Sequence, residues 1–377
     1  MKTEPRFSMP YFDTYSSNTV AGSGNQLLFR PEDPLRPLTG RVYYRVEAGG
    51  RFGWSFLFSN TIDTTFSDGK VGHCNLVCDE WKILSAAVGV SKTADPSTEP
   101  VNLIPLTFDG KPEKTVAPGG FFTSDRVELE ADAGTYLCLQ ISFCGRMIPC
   151  HEESLLPVFR LAEDGQWAPC RQMPLASMVG CDRPVKLRVG YLGDSITQGI
   201  GTEQNSYTHW NAVLSGMLGT DFAFWNLGLG YARASDAASD SAWLFRAKQN
   251  DWVVLCLGVN DLWQTRDGEA LKRNLTETVR KLKSAGVRVV LQSVPPFDYD
   301  PELTKTWREV NRYLRETLAT EADAYFDTVP VLRKSVEEDF TAAYGGHPNA
   351  EGCQKWAEAL FPLMQTILHG DSDETVM

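Results

Sequence analysis

The chain has 377 residues, 42% of them hydrophobic, and a formal net charge of −12 at pH 7. That length favours two domains over one. The charge argues against nucleic acid or an anionic membrane surface as the main partner, and no apolar run approaches the roughly 20 residues that span a bilayer. Met1–Arg6 lacks the apolar core of a signal peptide, and nine cysteines follow no regular framework, so reduced thiols and a cytoplasmic location are expected.

In chain order, the first part alternates short β-rich runs with turns. Strands are expected over 41–46, 54–59, 81–88, 101–108, 126–130 and 136–143, with Asp109-Gly110, Pro118-Gly119-Gly120 and Asp132-Ala133-Gly134 between them. Many short strands with such turns point to an antiparallel β-sandwich. Trp54, Phe56 and Phe58 alternate and so share one sheet face, read as core rather than as a glycan platform. Residues 163–184 have little periodicity and read as a connector. Beyond it, apolar strands over 186–192, 222–226, 252–257, 287–294 and 324–326 alternate with helices over 206–217, 269–284, 302–320 and 350–367. That alternation implies a parallel sheet with helices on both faces. The division is placed at 1–180, a β-sandwich with its connector, and 181–377, an α/β domain. The acidic run 371–374 is expected to be disordered.

Four short motifs carry the chemistry. Gly193-Asp194-Ser195-Ile196-Thr197-Gln198-Gly199 follows the apolar run Val189–Leu192, so Ser195 sits at a strand end where a nucleophile is exposed and a backbone N–H faces developing charge. Asn226-Leu227-Gly228-Leu229-Gly230 follows the second strand of the α/β part, Gly258-Val259-Asn260-Asp261 the third, and Gly346-His347-Pro348-Asn349 precedes the last helix. Open α/β sheets bind ligands at these strand ends. Taken singly, each motif is also an ordinary turn or capping loop. Asp194 is expected to anchor the loop by accepting backbone hydrogen bonds.

Ser, Gly, Asn and His in this order resemble the SGNH (GDSL-type) hydrolase family over about residues 186–368, which implies a flavodoxin-like, three-layer α/β/α catalytic domain. The first half is similar to the jelly-roll-like sandwich that precedes this domain in some two-domain carbohydrate esterases, through Phe58-Ser59-Asn60, Leu106–Gly110, Pro118-Gly119-Gly120 and Ser124-Asp125. The resemblance implies Ser195 as nucleophile and His347 as its base. Oxyanion donors would be the backbone N–H groups of Ser195 and Gly230 and the side-chain amide of Asn260. It implies an acylated, most simply acetylated, carbohydrate or other small ester as substrate; from charge, ligand spacing and the lack of nucleotide-binding motifs, no cofactor, metal, nucleic acid or membrane partner is expected. Competing readings are a lysophospholipase or thioesterase for longer chains, and a decayed glycan-binding protein. The N-terminal sandwich is read as completing the cleft, ahead of polysaccharide binding or dimerisation.

Two departures stand out. Tyr231 follows Gly230 where the family has a polar residue. Tyr344 stands three residues before His347, where the family carries the aspartate that orients the histidine. Asp339 and Asp327 are candidates to replace it; a Ser–His dyad with a backbone carbonyl on the imidazole is the preferred alternative. Trp210, Tyr231 and Trp263 are candidates to line a sugar cleft, although each reads as well as packing. His209 is expected to be a partly exposed residue of the helix over 206–217, and His73-Cys74 with Cys78, and Cys150-His151, lack the spacing of a zinc site.

Overall fold

A computed structural model describes residues 9–22, 24–63, 75–151 and 155–374, with side chains to 370. Its N-terminal half is built on two antiparallel sheets. In the first, Gly50–Ser59 pairs with Phe121–Thr123, Val127–Ala131 and Met178–Cys181, and the last of these is flanked by Ser16–Ser17. The second runs Trp167–Pro169, Val158–Leu161, Leu38–Arg45, Tyr136–Gly145, Trp81–Ser91 and Val101–Leu106 in spatial order. The sheets pack face to face. Trp81 of the second meets Phe122 of the first edge-on, ring centroids 6.0 Å apart, and Trp54, Phe56 and Phe58 are buried in the same core. Full burial of such side chains stabilises by about 1.5–3 kcal/mol each.

The stretch 163–184 is not a plain connector, because it contains Trp167–Pro169 and Met178–Cys181, the latter an inner strand of the first sheet. All four residues of Met178–Cys181 are buried, and a strand covered on both faces shows no alternation to read.

Between Cys181 and Arg188 the pairing changes from antiparallel to parallel. Five strands follow: β1 (Arg188–Gly193), β2 (Ala223–Gly228), β3 (Trp252–Cys256), β4 (Arg288–Gln292) and β5 (Ala324–Phe326), all parallel and ordered β2-β1-β3-β4-β5. The helices that matter for the site are α1 (Ser195–Gln198), α2 (Trp210–Leu218), α3 (Val259–Thr265), α4 (Gly268–Ser284), α5 (Pro301–Glu316) and α6 (Ala350–Glu374). Local chemistry sets their starts. Asp267 accepts from Ala270 N at the head of α4, and Asp300 accepts from Glu302 N and Leu303 N at the head of α5, where Pro301 occupies the first turn. The helix expected over 206–217 begins only at Trp210, since Tyr207 has φ +55° and lies outside helical space. At the other end α6 continues to Glu374, so the acidic run 371–374 is helical backbone rather than a disordered tail.

The two halves share one continuous apolar cluster. Asp63 and Arg246 form an ion pair across it at 2.7 Å with both side chains buried, and removing one partner of such a pair costs about 3–5 kcal/mol. Among the described residues no helix is long and apolar enough to cross a membrane.

Candidate active site

Strand order reverses at β1, which lies between β2 and β3. The crevice at the carboxyl ends of such strands is where open α/β sheets bind ligands. Ser195 starts α1 there. Asp194 caps that helix, its Oδ1 accepting from Ile196 N at 3.0 Å, which is the anchoring role expected for it. Burial pushes the Asp194 carboxyl up to about 7, against the Ile196 hydrogen bond, and the Asp261 charge adds to the rise. Gly228, at the end of β2, has no room for a side chain, because a Cβ would stand 2.1 Å from Gln198 N. The end of β2 therefore packs directly on α1.

His347 comes from the loop before α6 and places its Nε2 2.8 Å from Ser195 Oγ. The loop after α1 passes against the histidine backbone at Gly201, which has φ +101° and where a Cβ would meet the His347 carbonyl oxygen at 2.6 Å. Both conditions favour glycine. The imidazole packs edge-on to Phe297, with centroids 5.6 Å apart and planes at 77°. Desolvation lowers the His347 pKa from its ordinary 6.5, so the ring is neutral at pH 7 and able to accept a proton.

Neither aspartate named as an orienting acid reaches this ring. Asp339 pairs with Arg308, while Asp327 accepts from Ser293 Oγ and from Val329 N at the head of a short helix. Tyr344 accepts a hydrogen bond from Lys355 Nζ at 2.6 Å. Among the described residues the imidazole bonds to no carboxylate and no backbone carbonyl, so the carbonyl expected in the dyad is likewise not in place; Phe297 and the serine fix the ring. An orienting carboxylate is worth about 10⁴-fold in kcat in a triad. Asp339→Asn and Asp327→Asn are each expected to lose less than roughly tenfold in steady-state ester hydrolysis. A loss of several orders of magnitude in either variant, with native circular dichroism, would make that residue a third triad member.

Asn260 lies in α3. Its Nδ2 donates to the Ala232 carbonyl at 3.0 Å, which uses one of the two amide hydrogens and orients the other. Next to it, the buried Asp261 carboxylate accepts from Ala234 N at 3.0 Å; burial raises its pKa to about 6. Together they tie the segment after β3 to the segment after Gly230. Gly230 itself is bordered by Gln198 and by Gln26 of the N-terminal half. Tyr231 adopts φ +62° and is part-exposed, and Trp263 is 47% exposed and packs on Phe297 at 6.1 Å between centroids.

Other residues fall elsewhere. Trp210 does not line a cleft, being fully buried and stacked on Trp356 at 4.8 Å. His209 is not an exposed helical residue: it precedes α2, is buried with Nε2 3.3 Å from the Val20 carbonyl oxygen, and burial lowers its pKa to about 4. His73 and Cys74 lie outside the described residues, and Cys78, Cys150 and His151 are buried. Among the described residues no group of three or more His, Cys, Asp or Glu is gathered where it would hold a metal. Sequence reasoning missed Gln26 and Phe297, which no local motif marks, and Gln198, whose position three residues after Ser195 was the available signal.

A serine and a neutral imidazole at the switch point of a parallel sheet form the arrangement found in serine hydrolases. Residues 191–355 match the GDSL-like Lipase/Acylhydrolase family, and this part of the chain is a GDSL-like (SGNH) hydrolase domain. No curated protein matches the chain. Solved structures similar to it include a G-D-S-L family lipolytic protein from Desulfitobacterium hafniense DCB-2, at 21% identity over 47% of this chain and 98% of that one, TM-score 0.40. A carbohydrate acetylesterase family member from Sinorhizobium meliloti is 19% identical over 48% of this chain and 99% of its own, TM-score 0.41. A member of the lipolytic protein G-D-S-L family from Veillonella parvula DSM 2008 is 19% identical over 47% and 97%, TM-score 0.38.

Proposed function

We propose that the chain is a two-domain serine esterase that removes small acyl groups, foremost O-acetyl groups on carbohydrate, with residues 1–180 as the sandwich and 181–377 as the catalytic domain. The observation that carries the proposal is the 2.8 Å contact between Ser195 Oγ and His347 Nε2. In the reaction, Nε2 takes the Oγ proton as Oγ bonds to the ester carbonyl carbon. The carbonyl oxygen gains negative charge and meets the N–H groups of Ser195 and Gly230 and the Asn260 amide. Collapse breaks the bond to the alcohol oxygen, which leaves with the proton from the imidazolium. Water then repeats the sequence on the acyl-serine, releasing the acid and restoring Ser195. The exposed Trp263 and Tyr231 offer apolar ring faces to a sugar at the rim.

A chain-length series of p-nitrophenyl esters tests the reading. Acetate should be the preferred substrate. Preference for octanoate or longer would replace it with an enzyme for long acyl chains, and no turnover of any ester would overturn it. The same assay reads the base. Since only neutral imidazole accepts the serine proton, kcat/KM should rise with pH and level off. Because desolvation lowers the His347 pKa, the midpoint of that rise should lie below 6.5. A midpoint above 6.5 would point to an anionic neighbour stabilising the imidazolium, contrary to the geometry.

A further inference from the structure

Gln26 belongs to the N-terminal half, one residue before the strand Leu27–Phe29, and it is buried. Its backbone N–H donates to the Cys150 carbonyl at 3.1 Å. Its side-chain Nε2 donates to Gln198 Oε1 at 2.6 Å. Gln198 is the last residue of α1, the helix that Ser195 begins, and it too is buried. A Cβ built on Gly230 would stand 3.0 Å from Gln26 Nε2 and 3.3 Å from Gln198 Oε1. The paired amides are thus the surface against which the Gly230 backbone rests. Nearby, a Cβ on Gly24 would lie 2.2 Å from Leu229 Cδ2, and one on Gly22 would lie 3.4 Å from Gln198 Cγ. Gly24 and Gln26 therefore lie close against Leu229 and Gly230, and Gly22 lies against Gln198.

Two buried amides need not be there for adhesion, since apolar side chains of the same volume pack without a desolvation cost. What the amide pair adds is direction: a hydrogen bond sets the relative position of the two groups where an apolar contact would let them slide. Ser195 and Gly230 lie on separate segments, one after β1 and one after β2, and Gln198 is continuous with the first while touching the second.

We propose that Gln26 is a positioning residue of the esterase site: through Gln198 it sets the Gly230 backbone relative to Ser195, so that the N-terminal half completes the oxyanion-binding geometry. This rests on the esterase reading above. Gln26 touches no reacting atom; its effect passes through Gln198 and Gly230.

The test uses the full chain with Gln26→Met and, separately, Gln198→Met, each close in volume and lacking the amide. With p-nitrophenyl acetate, either variant should lose about 10- to 100-fold in kcat, the scale of a sub-ångström to 1 Å misplacement. KM should stay within about threefold, and the acid limb assigned to His347 should not move, because transition-state stabilisation is lost while binding and the base are kept. The double variant should lose no more than either single one, as members of one unit do. Rates are normalised to the folded fraction by circular dichroism, and should one variant not fold, the other gives the same reading. A folded variant with kcat within twofold of the parent, or with its loss confined to KM, would overturn the role of Gln26. Absence of any ester turnover by the unaltered chain would instead overturn the esterase reading and this inference with it.

Discussion

Ser195→Ala should abolish both ester turnover and labelling by a fluorophosphonate probe, with kcat falling on the order of 10⁶-fold. That loss corresponds to about 8 kcal/mol of transition-state stabilisation. It follows from the proposed covalent route. Without Oγ there is no atom to form the acyl intermediate, and His347 Nε2 loses the partner it holds at 2.8 Å. What remains is water attack assisted by the oxyanion donors, a residual that a serine hydrolase retains after loss of its nucleophile. The side chain removed is one hydroxyl at the first residue of α1, so the fold should not change; Asp194 still caps the helix through Ile196 N. Labelling at another residue, or full activity in the alanine variant, would remove Ser195 from the nucleophile's place.

Much of this was legible because it is local. The strands β1 to β5 are short apolar runs at regular intervals, and each of Ser195, Gly230, Asn260 and His347 stands in its own short motif next to a strand or helix end. The third member of the site was less legible, because Tyr344 showed only that the usual carboxylate is absent. Where the alternatives go is decided by partners distant in sequence: Arg308 takes Asp339, and Ser293 takes Asp327. The same reason hides Gln26. Nothing near it in sequence distinguishes a glutamine before a short strand of the N-terminal half from any other, and its meaning comes from Gln198, 172 positions away. His209 was misread because its burial comes from the Val20 segment of the other half. Met178–Cys181 escaped notice as a strand because both of its faces are covered.

Asn260→Ala should lower kcat by about 10²- to 10³-fold and leave KM nearly unchanged, the signature of an interaction made only in the transition state. One Nδ2 hydrogen is spent on the Ala232 carbonyl at 3.0 Å, which holds the amide plane still and, on the proposed mechanism, leaves the other hydrogen to serve as the preorganised donor. A donor fixed in this way needs no reorganisation when charge appears on the substrate oxygen, which is why one such group is worth about 2.7–4 kcal/mol. The variant also leaves the Ala232 carbonyl without that partner, and a loop loosened for this reason would lower thermal stability and raise KM as well. The two effects separate by measurement. A fall in kcat at constant KM, with an unfolding midpoint close to that of the parent, assigns the loss to the oxyanion. A normal kcat beside a lowered midpoint would show that Asn260 serves only to tie α3 to the Ala232 segment, and the oxyanion would then have only backbone donors.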